Sequence, residues 1–252
     1  PEKYRPTGKV SYVRVVPADD IQSAVGADWA KELGCRKIYV LDDRGVYGKG
    51  IADLFHKRCE EIGLEVLGHD GIDPRQQEYR ALVTSIKGSE PDLIYFGGTT
   101  QSNGGQLIKD AVSVGLTCKF MVPDGCCEEA FIKAAGAENC NGRVYVTFGG
   151  APPDQLAGRG KEFVNRYRSL YGSAPEAYAV YGYEAALVAL EAIRKAGRKD
   201  RDAIREACLS IRNFQGALGT WSFDANGDTS LRTMSAQIVR DGRFQFLKML
   251  GP

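Results

Sequence analysis

The feature that most limits what this chain can fold into is a repeat. Through the first 150 residues, a short β-branched or aromatic run is followed by a glycine-containing loop and then by an amphipathic stretch ending near glycine. The runs fall at 37–41, 64–67, 93–96, 120–122 and 144–146. Between them lie helical faces such as Ile51, Leu54, Phe55, Cys59 and Ile62, spaced i, i+3, i+4. Gly34, Gly63, Gly88, Gly115 and Gly136 stand where each would close a helix in the left-handed geometry. Their separations of 29, 25, 27 and 21 residues fit βα units. Strands alternating with helices at that interval predict an α/β fold, a doubly wound parallel sheet covered on both faces. The common strand order for such a sheet is 2-1-3-4-5.

The pattern changes near residue 149. Gly149-Gly150-Ala151-Pro152-Pro153 reads as a linker or crossover. Helical stretches follow at 159–171, 176–196 and 200–211, the second rich in tyrosine and alanine. From 219 to 250 the chain reads as short strands, with a polar turn at Asp224-Ala225-Asn226-Gly227-Asp228 and a hairpin at Arg240-Asp241-Gly242-Arg243. Helices without enough strands of their own imply that segment 150–232 belongs to a domain whose sheet is encoded elsewhere. That segment is then expected to expose apolar surface.

Composition removes several function classes. Thirty-three basic and 32 acidic residues are mixed along the chain with a net charge of +1, which gives nucleic acid and anionic membrane no electrostatic footprint. No apolar run approaches the roughly 20 residues of a membrane span, so this segment is expected not to insert. The opening residues 1–6 are polar and carry neither a signal peptide nor a lipid-anchor cysteine, which says nothing of compartment if the chain is mature or trimmed. The seven cysteines form no C-x-x-C pair, and His56 and His69 are not spaced with them as ligands, so neither a metal nor another cofactor is expected. Most of the cysteines read as small buried residues. Cys118 and Cys140, and Cys35 and Cys59, are the pairs whose positions could bring Cα atoms to about 5.5–6 Å, the bridging distance.

In an open sheet of this kind a ligand sits beyond the carboxyl ends of the strands, where the strand order reverses. The loops there are 42–50 after the first strand, 97–105 after the third and 123–125 after the fourth. They offer Tyr47, Thr99, Thr100 and Asp124: an aromatic ring, two hydroxyls and a carboxylate among glycines. Such a mixture suits a small zwitterion better than a phosphate. Each residue also has a structural reading. Tyr47 could pack at a helix start, Thr99 or Thr100 could cap the next helix, and Asp124 could be a turn residue or the N-cap of a helix over 126–135. Asp42 and Asp43 read as serving the first loop and its helix start. Gly45, Gly48 and Gly50 do not form G-x-G-x-x-G, no histidine is expected on the rim, and no Gly-x-Ser-x-Gly elbow occurs. Catalysis has no candidate cast, and an enzyme is not expected.

These residues resemble the type I periplasmic binding proteins of the branched-chain amino acid (Leu/Ile/Val) ABC transport family. The matching stretches are 14–22, 43–50, 91–98, 114–116, 123–125, 142–147, 181–186 and 223–228, in the family's order and over nearly the whole chain. The resemblance implies two α/β lobes joined by three crossovers, with ligand trapped between them when they close by bending near 147–153, 229–235 and the chain start. It assigns 8–148 plus 233–252 to the second lobe and 149–232 to the C-terminal portion of the first. The first lobe's N-terminal portion, which carries Ser/Thr loops for the ligand's α-carboxylate, is absent from this sequence, so that lobe is incomplete. Carried over by position, Tyr47 matches a ligand-contacting tyrosine and Asp124 an acid that contacts the α-ammonium group. Thr99 and Thr100 fall where relatives often place a tyrosine.

The function so implied is an extracytoplasmic solute-binding protein that captures an amino acid, branched-chain or similar, for an ABC importer. Its partners would be that small molecule and a membrane permease. Its place would be periplasmic or extracellular, with a signal in the precursor and a lipoprotein anchor compatible with it. The alternative is the effector-sensing domain of a transcription regulator or receptor with the same fold.

Overall fold

The computed structural model describes residue 5 and residues 7–251, so most of the polar opening stretch lies outside the described residues. The chain forms two compact units. One comprises Asp19–Gly149 with the segment from Met234; the other comprises Gly150–Thr233 with the chain up to Ala18.

The first of these is the α/β unit. It runs α1 (Asp19–Glu32), β1 (Lys37–Asp42), α2 (Val46–Glu61), β2 (Glu65–Gly71), α3 (Arg80–Lys87), β3 (Leu93–Gly97) and α4 (Gly104–Ser113). It continues with β4 (Lys119–Val122), α5 (Glu129–Ala135), α6 (Ala137–Cys140) and β5 (Val144–Gly149). All five repeat runs are strands, paired in parallel as β2-β1-β3-β4-β5, which is the 2-1-3-4-5 order. β3 and β5 are buried at every position, as strands covered on both faces must be. The core under α1 and α2 gathers Trp29, Ile38, Val40, Phe55, Tyr95 and Met121, with the Phe55 and Tyr95 rings stacked 3.8 Å apart. Four of the five terminating glycines take positive φ, Gly34 at 81°, Gly63 at 77°, Gly115 at 77° and Gly136 at 86°. Gly88 does not; its φ is −64°, because the turn runs on to Glu90, which takes φ 52° itself.

The second unit holds α7 (Gly158–Tyr171), α8 (Ala179–Ala196), α9 (Arg201–Leu209) and a two-stranded ribbon, β6 (Phe214–Gly216) with β7 (Gly219–Trp221). Its helices leave Leu170, Tyr171, Leu190 and Ile193 exposed. Residues 8–18, which the resemblance puts with the α/β unit, pack here instead. The reason is visible in bonds to the polar turn and to α9: Arg14 N–H donates to the Gly227 carbonyl (3.0 Å), and Lys9 pairs with Asp202 (3.2 Å).

The chain then returns to the sheet with β8 (Met234–Arg240) and β9 (Arg243–Leu250), longer than the short strands expected. β8 runs antiparallel to β5, and β9 antiparallel to β8, completing seven strands. Asp241 (φ 52°) and Gly242 (φ 70°) make the two-residue connection, both left-handed as a type I′ turn requires.

Neither candidate pair forms a disulfide; all seven cysteines are free. Cys140 is the last residue of α6 and not a strand neighbour of Cys118. Cys35, Cys59, Cys118 and Cys140 are buried as small apolar groups, and burial pushes the Cys59 and Cys140 thiols up to about 12 and that of Cys118 to about 11.

Candidate functional site

Because β1, β3 and β4 are parallel neighbours, the loops that leave their carboxyl ends emerge along one edge of the sheet. The first two loops touch through backbone. The Asp43 N–H donates to the Gly97 carbonyl at 3.1 Å. A Cβ at position 48 would stand 2.6 Å from that carbonyl oxygen and 2.2 Å from Asp43 Oδ1, so only glycine permits this approach. The third loop closes on both. A Cβ at 125 would meet the Gly98 carbonyl at 2.9 Å, the Tyr47 ring at 3.1 Å and the Thr99 methyl at 3.3 Å.

All four residues singled out in the sequence arrive at this place. Tyr47, in the first turn of α2, donates its hydroxyl to Asp124 Oδ1 at 2.8 Å, and Asp124 is 7% exposed. Thr100 donates to the Gly125 carbonyl at 3.3 Å. Thr99 caps a 3₁₀ turn, Thr100–Ser102: its N–H lies 3.3 Å from Ser102 Oγ and the two hydroxyls are 3.0 Å apart. Thr99 thus caps the 3₁₀ turn, whereas the next helix, α4, takes Asn103 as its N-cap, so neither threonine caps that helix. Asp124 opens a 3₁₀ turn of its own, Asp124–Cys126, while α5 begins only at Glu129, so Asp124 is not that helix's cap.

The Asp124 carboxylate acts on its surroundings. Beneath it, burial and then the Asp124 charge push the Tyr95 phenol well above its usual range. The Cys126 thiol, fully buried with its Sγ 3.6 Å from the Gly98 carbonyl, is pushed up by the same two causes in the same order. A thiol holding its proton that firmly is no nucleophile. Among the described residues no group of histidine, cysteine or acid side chains could hold a metal ion. What the rim offers is a buried carboxylate, hydroxyls and backbone carbonyls, suited to a small ligand presenting N–H donors.

Two features escaped the sequence reading. Asp43 reaches across to the third-strand loop, where the Ser102 hydroxyl donates to its Oδ2, while its Oδ1 accepts from Gly45 N–H at 2.8 Å. The Asp-x-Gly triplet at 43–45 is the local signal of such a turn. In addition, a histidine does lie close to the rim. His69 Nε2 stands 3.2 Å from Asp42 Oδ2, and its Nδ1 is 3.0 Å from Nδ1 of His56. The β1–β2 register shifts after Ile38, and no sequence pattern announces such a bulge.

Parallel strands in this order, with their loops gathered at the carboxyl ends, form the rim at which open α/β sheets hold ligands. Residues 6–243 match the periplasmic binding protein family, and the chain belongs to it. It is 30% identical over 216 residues to an amino acid binding protein of Pseudomonas aeruginosa, covering 85% of this chain and 56% of that protein. It is 29% identical to Leu/Ile/Val-binding protein homolog 1 of Brucella abortus, covering 91% and 60% respectively. Among solved structures, a leucine binding protein LivK from Thermotoga maritima superposes with a TM-score of 0.90 at 29% identity, covering 97% of this chain and 69% of its own. The branched-chain amino acid transporter substrate binding protein LivJ of Streptococcus pneumoniae, solved with isoleucine, shares the fold at a TM-score of 0.86. The chain thus spans less than two thirds of the length of these curated relatives.

Proposed function

We propose that this chain is part of an extracytoplasmic solute-binding protein that captures an amino acid, branched-chain or similar, and delivers it to the membrane permease of an ABC importer. Tyr47, Thr99, Thr100 and Asp124 contact the ligand, which is bound and released without chemical change. The observation that carries the reading is the Tyr47–Asp124 pair, a nearly buried carboxylate at the carboxyl ends of the strands. It stands on a chain whose relatives are named for leucine, isoleucine and valine. A ligand's ammonium losing its water needs a carboxylate partner. On the same reading, 149–232 is the C-terminal portion of the first lobe, and the exposed faces of α7 and α8 are where the rest of that lobe seats.

Mass spectrometry of ligand released by denaturing the purified full-length protein tests the proposal directly; an amino acid is expected. Asp124→Ala should then weaken its binding by about 2–5 kcal/mol, the cost of stranding one partner of a buried charge pair. Asp124→Asn should also lose affinity, and far less for an analogue lacking the amino group. Unchanged binding of the natural ligand by Asp124→Asn would refute the amino-acid assignment.

A further inference from the structure

Tyr47 and Thr99 sit on loops from different strands, and one side chain outside the four rim residues joins those loops. Asp43 leaves the end of β1. Its Oδ1 accepts the Gly45 N–H at 2.8 Å, which fixes the turn that starts α2 two residues before Tyr47. Its Oδ2 accepts the Ser102 hydroxyl, and its own N–H holds the Gly97 carbonyl at 3.1 Å. Ser102 is buried, and with its proton given to Asp43 its oxygen is left to accept from Thr99, whose N–H is 3.3 Å away and whose hydroxyl is 3.0 Å away. The glycines record how closely Asp43 fits: Cβ atoms at 45, 48 and 98 would stand 2.9, 2.2 and 3.3 Å from its carboxylate oxygens.

We infer that Asp43 is the positioning residue of the rim, its carboxylate holding the loop of Tyr47 and the loop of Thr99 and Thr100 in one register through Gly45 and Ser102. It does this without contact to ligand. The carboxylate accepts from both loops at once, so losing it frees two attachments together, whereas losing Ser102 frees only one. Asn at 43 keeps the shape: its oxygen can take the Gly45 N–H, and its amide can donate to Ser102 Oγ, which then turns its proton to Thr99.

The inference rests on the proposed function only for its ligand arm, and a second readout needs no ligand. Fluorotyrosine placed at position 47 gives a ¹⁹F signal that reports the Tyr47–Asp124 pairing. Asp43→Ala should shift or broaden that signal, Ser102→Ala should do so less, and Asp43→Asn should restore it. Ser113→Ala, whose hydroxyl bonds the Asp110 carbonyl on α4, is the control. In the ligand arm, the affinity for L-leucine should fall about tenfold to a hundredfold in Asp43→Ala, the loss expected when charged hydrogen bonds are removed, and recover in Asp43→Asn. Where Asp43→Ala fails to fold, Ser102→Ala and Asp43→Asn carry the same comparison. An unchanged ¹⁹F signal in Asp43→Ala and Ser102→Ala overturns the inference, and so does an Asp43→Asn variant as impaired as Asp43→Ala. The ligand arm uses the full-length protein; absence of L-leucine binding by its unaltered form counts against the proposed function alone, and the ¹⁹F comparison still decides.

Discussion

Glu184 is fully buried in the middle of α8. Its Oε2 accepts the Ala217 N–H and its Oε1 the Trp221 indole N–H, both at 2.6 Å, so one carboxylate fastens the helix to the β6–β7 ribbon. A Cβ at Gly216 would stand 1.8 Å from Oε1, which leaves no room for any other residue there. Glu184→Ala strands two buried donors at about 1–3 kcal/mol each. Chemical denaturation should therefore show the second unit destabilised by about 2–6 kcal/mol, the α/β unit being little affected. Glu184→Gln, which keeps one acceptor, should lose less. The sequence marks this residue only as part of the matching stretch 181–186 and not as a buried acid, since an acid inside a helical stretch ordinarily reads as a solvated face, and its partners lie 33 and 37 residues away. The rim was legible for the opposite reason. Tyr47, Thr99, Thr100 and Asp124 each lie within five residues after a strand, so strand order alone places their loops side by side. Asp43 was visible only as a local turn residue, because Ser102 comes to it through folding.

At the scale of elements, the βα repeat made the sheet order readable, and α7 and α8 end at Tyr171 and Ala196, where the sequence pattern stops. The antiparallel return to β5 was not readable, because β8 begins 85 residues after β5 ends and hairpin signals act only locally. One acid ties the other end of the sheet. Asp92 Oδ2 accepts from Arg36 N–H at 2.7 Å and Lys37 N–H at 2.9 Å, while its backbone bonds Lys37 and Lys119, joining the starts of β1, β3 and β4. The backbone N–H groups of Lys37 and Arg36 hold its carboxyl below the usual 3.8. A depressed folded value stabilises the protein above the unfolded value, and that contribution is lost as pH falls through the folded one. The stability gap between the wild type and Asp92→Ala should hold steady from neutral pH down to about 5 and narrow below it, as urea melts at a series of pH values would read. A gap that widens on acidification would contradict this account of Asp92.

At the scale of the molecule, the chain passes between its units after Ala18, after Gly149 and after Thr233. The last two passages meet: Gly149 and Met234 face each other as the terminal pair of the β5–β8 ladder, and Gly150 N–H bonds the Thr233 carbonyl at 2.8 Å. Everything from 150 to 233 is thus inserted where a hairpin turn would fit. Replacing it with Asn-Gly, the two-residue type I′ connection, and starting the chain at Asp19 should leave the seven-stranded sheet intact. A cooperative melt and a dispersed amide spectrum are the expected results; a molten product would show that the sheet needs the inserted unit. The same junction sets an order of events during synthesis. β5 is made long before β8, so a growing chain carries a strand that is buried at every position in the fold, with one edge unpaired, until 84 further residues have left the ribosome. At about 5–20 residues per second that interval is on the order of several seconds. Over that time the open edge of Val144–Gly149 is a template for a neighbouring nascent chain.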